Sequence, residues 1–209
     1  SEFGKVSGDK ADDMWKQQEA VQGQKSKVVA IVTDSGADIP EYLDLDIHIV
    51  PVRYNFGKIG YVDKVSQTVE EFYEELISNA EHPQTSQPTP GDFRRQYQFL
   101  QSHYDSILSI HLPKDVSGTY QSALYASKRV DNSTISIIDG FSVSVGQGLI
   151  AIAAAKLAKA GKKHGEIIEA LPAIISSTKV FAGIKDLSYI VKGGRIPSWI
   201  KTIADLLHI

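Results

Sequence analysis

Ser117-Gly118-Thr119-Tyr120-Gln121-Ser122-Ala123 is the stretch on which the fold turns. Ahead of it, Ile107 to Leu112 is an apolar run with the length and composition of a buried strand. After it, Tyr120, Ala123, Leu124, Ser127 and Val130 recur at three- and four-residue spacing and predict one helix face. Ser-Gly-Thr therefore stands where a strand ends and a helix begins. Hydroxyls and unpaired backbone N–H groups at such a start suit a phosphate or a carboxylate, because the dipole and the free donors both favour negative charge. A plain helix cap by Ser117 or Thr119 is the competing reading, and this stretch alone leaves both open.

The same arrangement recurs on either side. Val28 to Val32 is a continuous β-branched run ending in Thr33-Asp34-Ser35-Gly36. A run without alternation predicts a strand covered on both faces, as in a parallel sheet. Ligands of such sheets sit beyond the carboxyl ends of the strands, so Asp34 and Ser35 fall on the same rim as Ser117, with an Asx-type turn as the alternative. Ile135 to Ile138 ends in Asp139-Gly140 and supplies a third polar strand end. Ile47 to Val52 predicts a further strand, and Gly57 to Gly60 a turn or hairpin. Thr68 with Glu71 carries capping-box chemistry for a helix that buries Phe72, Leu76 and Ile77.

Pro83-Gln84-Thr85-Ser86-Gln87-Pro88-Thr89-Pro90 predicts a loop in which prolines hold Thr85 and Ser86 in few conformations. A helix follows with Phe93, Tyr97 and Leu100 on one face. The Ala-rich stretch through Leu157 predicts another helix, stopped at Gly161. One more helix runs from about His164 to Ile175 despite Pro172, then a strand at Val180 to Ile184. Strands alternating with helices from Lys27 to about Ala160 predict a three-layer α/β/α domain with a mostly parallel sheet. Residues 161–209 are expected to begin a second α/β domain that stops incomplete. Residues 1–26 are expected to be a cloning scar, Ser1-Glu2-Phe3-Gly4, and a polar linker.

Composition narrows the function. A net charge of -3 and the absence of a basic stripe argue against nucleic-acid binding. With no cysteine among 209 residues, thiolate catalysis and Cys-based zinc sites are excluded, and a cytoplasmic location fits. No uninterrupted apolar run approaches the roughly 18 residues a membrane span needs, so no stable membrane insertion is expected. Neither a P-loop nor a Rossmann glycine signature is present, and Asp34, Asp38 and Asp63 lack metal-ligand spacing, so no cofactor or metal is expected.

The ordered set Thr33-Asp34-Ser35, Val50-Pro51, Tyr61 with Asp63, Thr85-Ser86-Gln87-Pro88, Ser117-Gly118-Thr119-Tyr120, Asp139 and Lys192-Gly193-Gly194-Arg195-Ile196 resembles the DegV family over residues 28 to 209. These are bacterial fatty-acid-binding proteins that include the FakB subunits of fatty acid kinase. The resemblance implies two domains with a long-chain fatty acid between them, its tail in an apolar tunnel. The carboxylate would meet Thr85 and Ser117, with Ser86, Gly118 and Thr119 beside them. It also implies a non-enzymatic partner that presents its lipid to an ATP-dependent fatty acid kinase, separate or fused, with Lys192 and Arg195 as a docking element or a solvated glycine turn. Family members commonly have Ser or Thr where Gly140 stands. They also continue past Ile209 into a segment that brings a histidine to the carboxylate site, a role matched by none of the six histidines here.

Two other functions compete. Ser117 could act as the nucleophile of a hydrolase or acyltransferase with His111 or His48 as base, although no Gly-x-Ser-x-Gly elbow surrounds it. A small phosphometabolite could take the anion site instead.

Overall fold

The computed structural model describes residues 27–40, 44–131, 134–183 and 191–194. Its centre is a parallel sheet of four strands in the order β2-β1-β6-β7, formed by β1 (Lys27–Asp34), β2 (Ile47–Val50), β6 (Tyr104–His111) and β7 (Thr134–Asp139). Register sets Asp34 opposite Val50 and His111 opposite Asp139, so the strands end along one edge. Pro51, which has no N–H to donate, closes β2 two residues before the predicted end.

Side chains alternate across this sheet. Ala30, Val32 and Ile107 face one side with Phe93, Tyr97 and Leu100 of α2 (Pro90–Gln101) and Ala123 and Ala126 of α3 (Thr119–Ser127). Val29, Ile31, Leu108 and Ile110 face the other with Ile150 and Ala154 of α4 (Val145–Lys159) and Ile167 and Leu171 of α5 (His164–Ser177). The predicted α/β/α layering follows from this two-sided burial. Gly161, at φ 82°, ends the α4 segment as the sequence indicates.

A second sheet, antiparallel and in the order β4-β3-β5, comprises β3 (Arg53–Phe56), β4 (Ile59–Val62) and β5 (Gln84–Ser86). Gly57, at φ 55°, turns the β3–β4 hairpin. The segment read as a proline-fenced loop thus holds a strand, β5, fully polar and exposed. Pairing with β3, Thr85 against Tyr54 and Ser86 against Arg53, defines it where hydrophobic alternation could not.

Three local expectations are corrected. The capping box of Thr68 and Glu71 starts α1 (Val69–Ser78) as predicted, but no α1 residue is fully buried and Ile77 is 85% exposed. Only Phe72 turns into the aromatic cluster of Tyr54, Phe56 and Tyr61, because the small sheet covers just one side of the helix. On α3 the buried face is Thr119, Ser122, Ala123 and Ala126, rotated from the predicted one. Small residues let this helix lie close to the sheet, and Tyr120 and Leu124 stay half-buried at its flank. Val180 to Gly183 forms no strand, having no ladder partner among the described residues.

His164 opens α5 and bonds Ser136 on β7 through Nε2 at 2.8 Å, while its Nδ1 is buried without a partner. Burial disfavours the charged ring and lowers its pKa from 6.5. A lowered native value means that the unfolded chain binds the proton more readily. The contribution to stability is therefore complete above pH 6.5 and is lost as the pH falls through the native value. The stability of wild type relative to His164→Gln is expected to drop as urea titrations move from pH 7.5 to about 5. A pH-independent difference would refute this.

Candidate functional site

Beyond the carboxyl edge of the parallel sheet lies a cleft of about 570 Å³. One wall comes from the small sheet and its exit, Thr85, Ser86 and Gln87. The other comes from the loop after β6 and the start of α3, Val116, Ser117 and Gly118. Gly36, Val52, Leu112 and Val143 complete it. Apolar surface and hydroxyls thus share one cavity, and among the described residues no Lys or Arg lines it. The predicted ligand residues Thr85, Ser86, Ser117 and Gly118, far apart in sequence, meet here.

Local geometry explains their placement. Ser117 Oγ accepts the N–H of Thr119 at 3.2 Å and shares a 2.8 Å bond with Thr119 Oγ1. The cap itself falls on Gly118, which provides no side-chain bond. Ser117 is half-buried at the cleft and Thr119 is buried behind it. A Cβ on Gly118 would fall 2.5 Å from Gln87 Nε2, so glycine is what lets the Gln87 amide lie across the helix start. First-turn N–H groups have no intrahelical acceptor, and this helix starts at the cavity wall.

Asp34 and Ser35 lie beneath the cleft, fully buried or nearly so, and they hold backbone. Asp34 Oδ1 accepts Gly36 N–H at 3.1 Å, the Asx-type turn that the sequence allowed. Asp34 Oδ2 accepts Leu112 N–H, His111 Nδ1–H at 2.9 Å and Gln147 Nε2 at 2.9 Å. Ser35 Oγ accepts Val52 N–H. Asp139 accepts from the backbone of Lys114 and Phe141. Gly140 lies against this corner. Its N–H bonds the His111 carbonyl at 2.9 Å, and a Cβ there would come within 2.7 Å of that oxygen. Lys192 is exposed and is not among the lining residues, and Arg195 lies outside the described residues.

His111 belongs to a buried chain. Its Nε2 accepts from Ser109 Oγ at 2.7 Å, and Ser109 in turn meets Tyr97 Oη at 2.8 Å. Burial pushes the Tyr97 phenol far up, against a smaller opposite effect of Ser109, so it stays a donor. The chain runs Tyr97 to Ser109 to His111 to Asp34. Both ring nitrogens are engaged, leaving His111 no proton-accepting atom for Ser117. His48 bonds Tyr104, the first residue of β6, at the opposite strand end from Ser117. Sequence reasoning missed Gln147 and Ser109. Their only signal is a polar residue inside an apolar period, Gln147 between two glycines and Ser109 amid Ile and Leu.

Unusual backbone gathers beside the cleft, close in sequence to the lining residues Gly36 and Val143. Of the four non-glycine residues at positive φ among those described, Asp38 (48°), Lys64 (59°) and Ser144 (52°) are bonded to one another. Such conformations cost about 1–3 kcal/mol each.

A family model described as uncharacterised protein, DegV family, matches residues 28–209. The chain belongs to the DegV family. It is 38% identical over 181 residues to a DegV domain-containing protein of Staphylococcus aureus, covering 86% of this chain and 64% of that protein. It is 34% identical over 184 residues to Protein DegV of Bacillus subtilis, covering 87% and 66%. Among solved structures it is similar to DegV, a fatty acid binding protein from Bacillus subtilis, with a TM-score of 0.76 at 32% identity over 86% of this chain and 64% of that one. The fold also matches the fatty acid kinase B3 protein of Streptococcus pneumoniae, loaded with linoleic acid, with a TM-score of 0.72 at 21% identity over 84% and 64%. The chain thus spans slightly less than two thirds of its Staphylococcus aureus relative. Among the described residues, no three His, Asp or Glu gather as a metal site, and no helix is long and apolar enough to cross a membrane.

Proposed function

We propose that this DegV protein is a non-enzymatic carrier of a long-chain fatty acid and that the cleft receives the carboxylate end. The observation that carries the reading is the division of that cavity. Thr85, Ser86 and Ser117 offer hydroxyls, Val52, Leu112, Val116 and Val143 offer apolar surface, and no cation is among them. A carboxylate leaving water must be hydrogen-bonded by several donors at once, which hydroxyls and helix-start N–H groups on two facing walls provide. Burying the tail contributes about 0.8 kcal/mol per CH₂, so a long chain offsets the desolvation of its head. The fatty acid binding of the Bacillus subtilis relative supports the same ligand class.

The finer part of the reading is that the bound lipid is handed to an ATP-dependent fatty acid kinase, which the motifs shared with FakB-like proteins support. Sequestration of His111 speaks against Ser117 as a nucleophile. Mass spectrometry of an organic extract of the purified protein is expected to find a stoichiometric long-chain fatty acid. Ser117→Ala and Thr85→Ala are each expected to weaken binding about tenfold or more, the loss of one hydrogen bond to a charged group. An empty extract together with no measurable binding of added fatty acid would overturn the reading.

A further inference from the structure

Neither hydrophobic core contains a residue of β3, β4, α1 or β5. These elements are held together by their own aromatic cluster, in which Tyr54 stacks on Tyr61 at 5.1 Å and Phe72 meets Tyr54 edge-on. The polar bonds that tie them to the parallel-sheet body are half-buried or exposed. Val52 N–H donates to Ser35 Oγ, Arg53 reaches Asp92, and Lys64 Nζ donates to the Ser35 carbonyl and to Asp38 Oδ1. Yet this unit carries Thr85 and Ser86, one wall of the cleft. A wall attached by exchangeable bonds can swing as one piece without opening either core.

The strained rim residues stand at that attachment. Asp38 Oδ1 takes Lys64 from the small-sheet unit, and Asp38 Oδ2 takes Ser144 Oγ from the start of α4 at 2.9 Å. Ser144 occupies the N-cap of α4 yet makes no capping bond, its hydroxyl turned to Asp38 instead. Its backbone, at φ 52° and ψ −135°, suits glycine better than serine. An exposed ion pair returns little stability, so strain at three residues is poorly explained by stabilisation.

We propose that β3, β4, α1 and β5 form a hinged flap over the cleft, and that Lys64, Asp38 and Ser144 are positioning residues that latch it shut. The role of the latch in lipid exchange rests on the fatty-acid reading, whereas the hinge does not. Ser144→Gly removes the hydroxyl and relieves the backbone, so a latch and a merely structural serine give opposite results. The dissociation rate of cis-parinaric acid is expected to rise about fivefold in Ser144→Gly and in Lys64→Met, with the melting temperature of Ser144→Gly unchanged or raised. About 1 M salt is expected to speed dissociation from wild type more than from Lys64→Met, in which the Arg53–Asp92 pair is the remaining ion pair named above to be screened.

The chain has no cysteine, so spin labels at Lys58→Cys on the flap and Gln121→Cys on α3 report their separation directly. Its distance distribution is expected to broaden in the latch variants with or without lipid. Unaltered rates and distances in both variants, or rates that merely follow falling melting temperatures, would overturn the proposal. A wild type that binds no fatty acid sinks the carrier reading and leaves the spin-label distances to decide the flap.

Discussion

Asp34→Ala is expected to lower the unfolding free energy by about 3–5 kcal/mol, the cost of removing one partner from a buried, hydrogen-bonded polar pair. The carboxylate is wholly buried and accepts from four donors, Gly36 N–H, Leu112 N–H, His111 Nδ1–H and Gln147 Nε2. Alanine leaves the Gly36, Leu112 and His111 donors without that acceptor and Gln147 Nε2 with Thr33 Oγ1 alone, in a cavity too small to rehydrate each of them. Gln147, whose Oε1 is already buried without a partner, is then held by Thr33 alone. Because Gly36 and Leu112 line the cleft, their release also distorts the floor on which a ligand rests. Urea unfolding measures the first effect, and fatty acid affinity at a denaturant-free reference temperature the second. Asp34→Asn keeps one acceptor oxygen and is expected to fall between wild type and alanine. A loss below about 1 kcal/mol for Asp34→Ala, the scale of an ordinary surface substitution, would show that the network is not a structural keystone.

The buried network also marks the limit of what the sequence discloses. Strands β1, β6 and β7 are legible because runs rich in Val, Ile and Leu admit few other placements, and their polar endings fall on one edge once the sheet is parallel. Thr85, Ser86, Ser117 and Gly118 are singled out by the ordered motifs, and the fold brings them around one cavity. Side-chain partnerships across more than 70 residues are not. Asp34 and His111 are 77 apart, and nothing local distinguishes a rim aspartate from one buried under the rim. Periodicity likewise fails where burial depends on which neighbour arrives. Ile77 has the spacing of a core residue, but the small sheet is too narrow to reach it. On α3, spacing alone could not tell that small Thr119, Ser122 and Ala126 would face the sheet in preference to the larger Tyr120 and Leu124. The edge strand β5 has no apolar alternation at all, so only its partner β3 reveals it.

Gly148→Ala is expected to destabilise the protein by about 2 kcal/mol or more, although alanine is the better helix former. Both outcomes are possible for a helical glycine, and the surroundings decide. At Gly148, in α4, a Cβ would sit 2.3 Å from the carbonyl oxygen of Ala37 and 3.4 Å from Ile39. That oxygen is main chain, in the turn between Asp34 and Asp38, so it cannot step aside as a side-chain tip would. Making room means lifting α4 off β1, which strains the Gln147 bonds to Thr33 and Asp34 and the Ser144 bond to Asp38 together. Gly165, in α5, is the control. No atom lies within 4 Å of a Cβ built there, so Gly165→Ala is expected to gain up to about 1 kcal/mol from helix propensity alone. The two variants make the same chemical change in neighbouring helices of one layer and should move the urea midpoint in opposite directions. If Gly148→Ala also stabilises, then α4 does not lie against the Asp34–Asp38 turn as closely as the structure shows, and the cleft floor built on that contact loses its support.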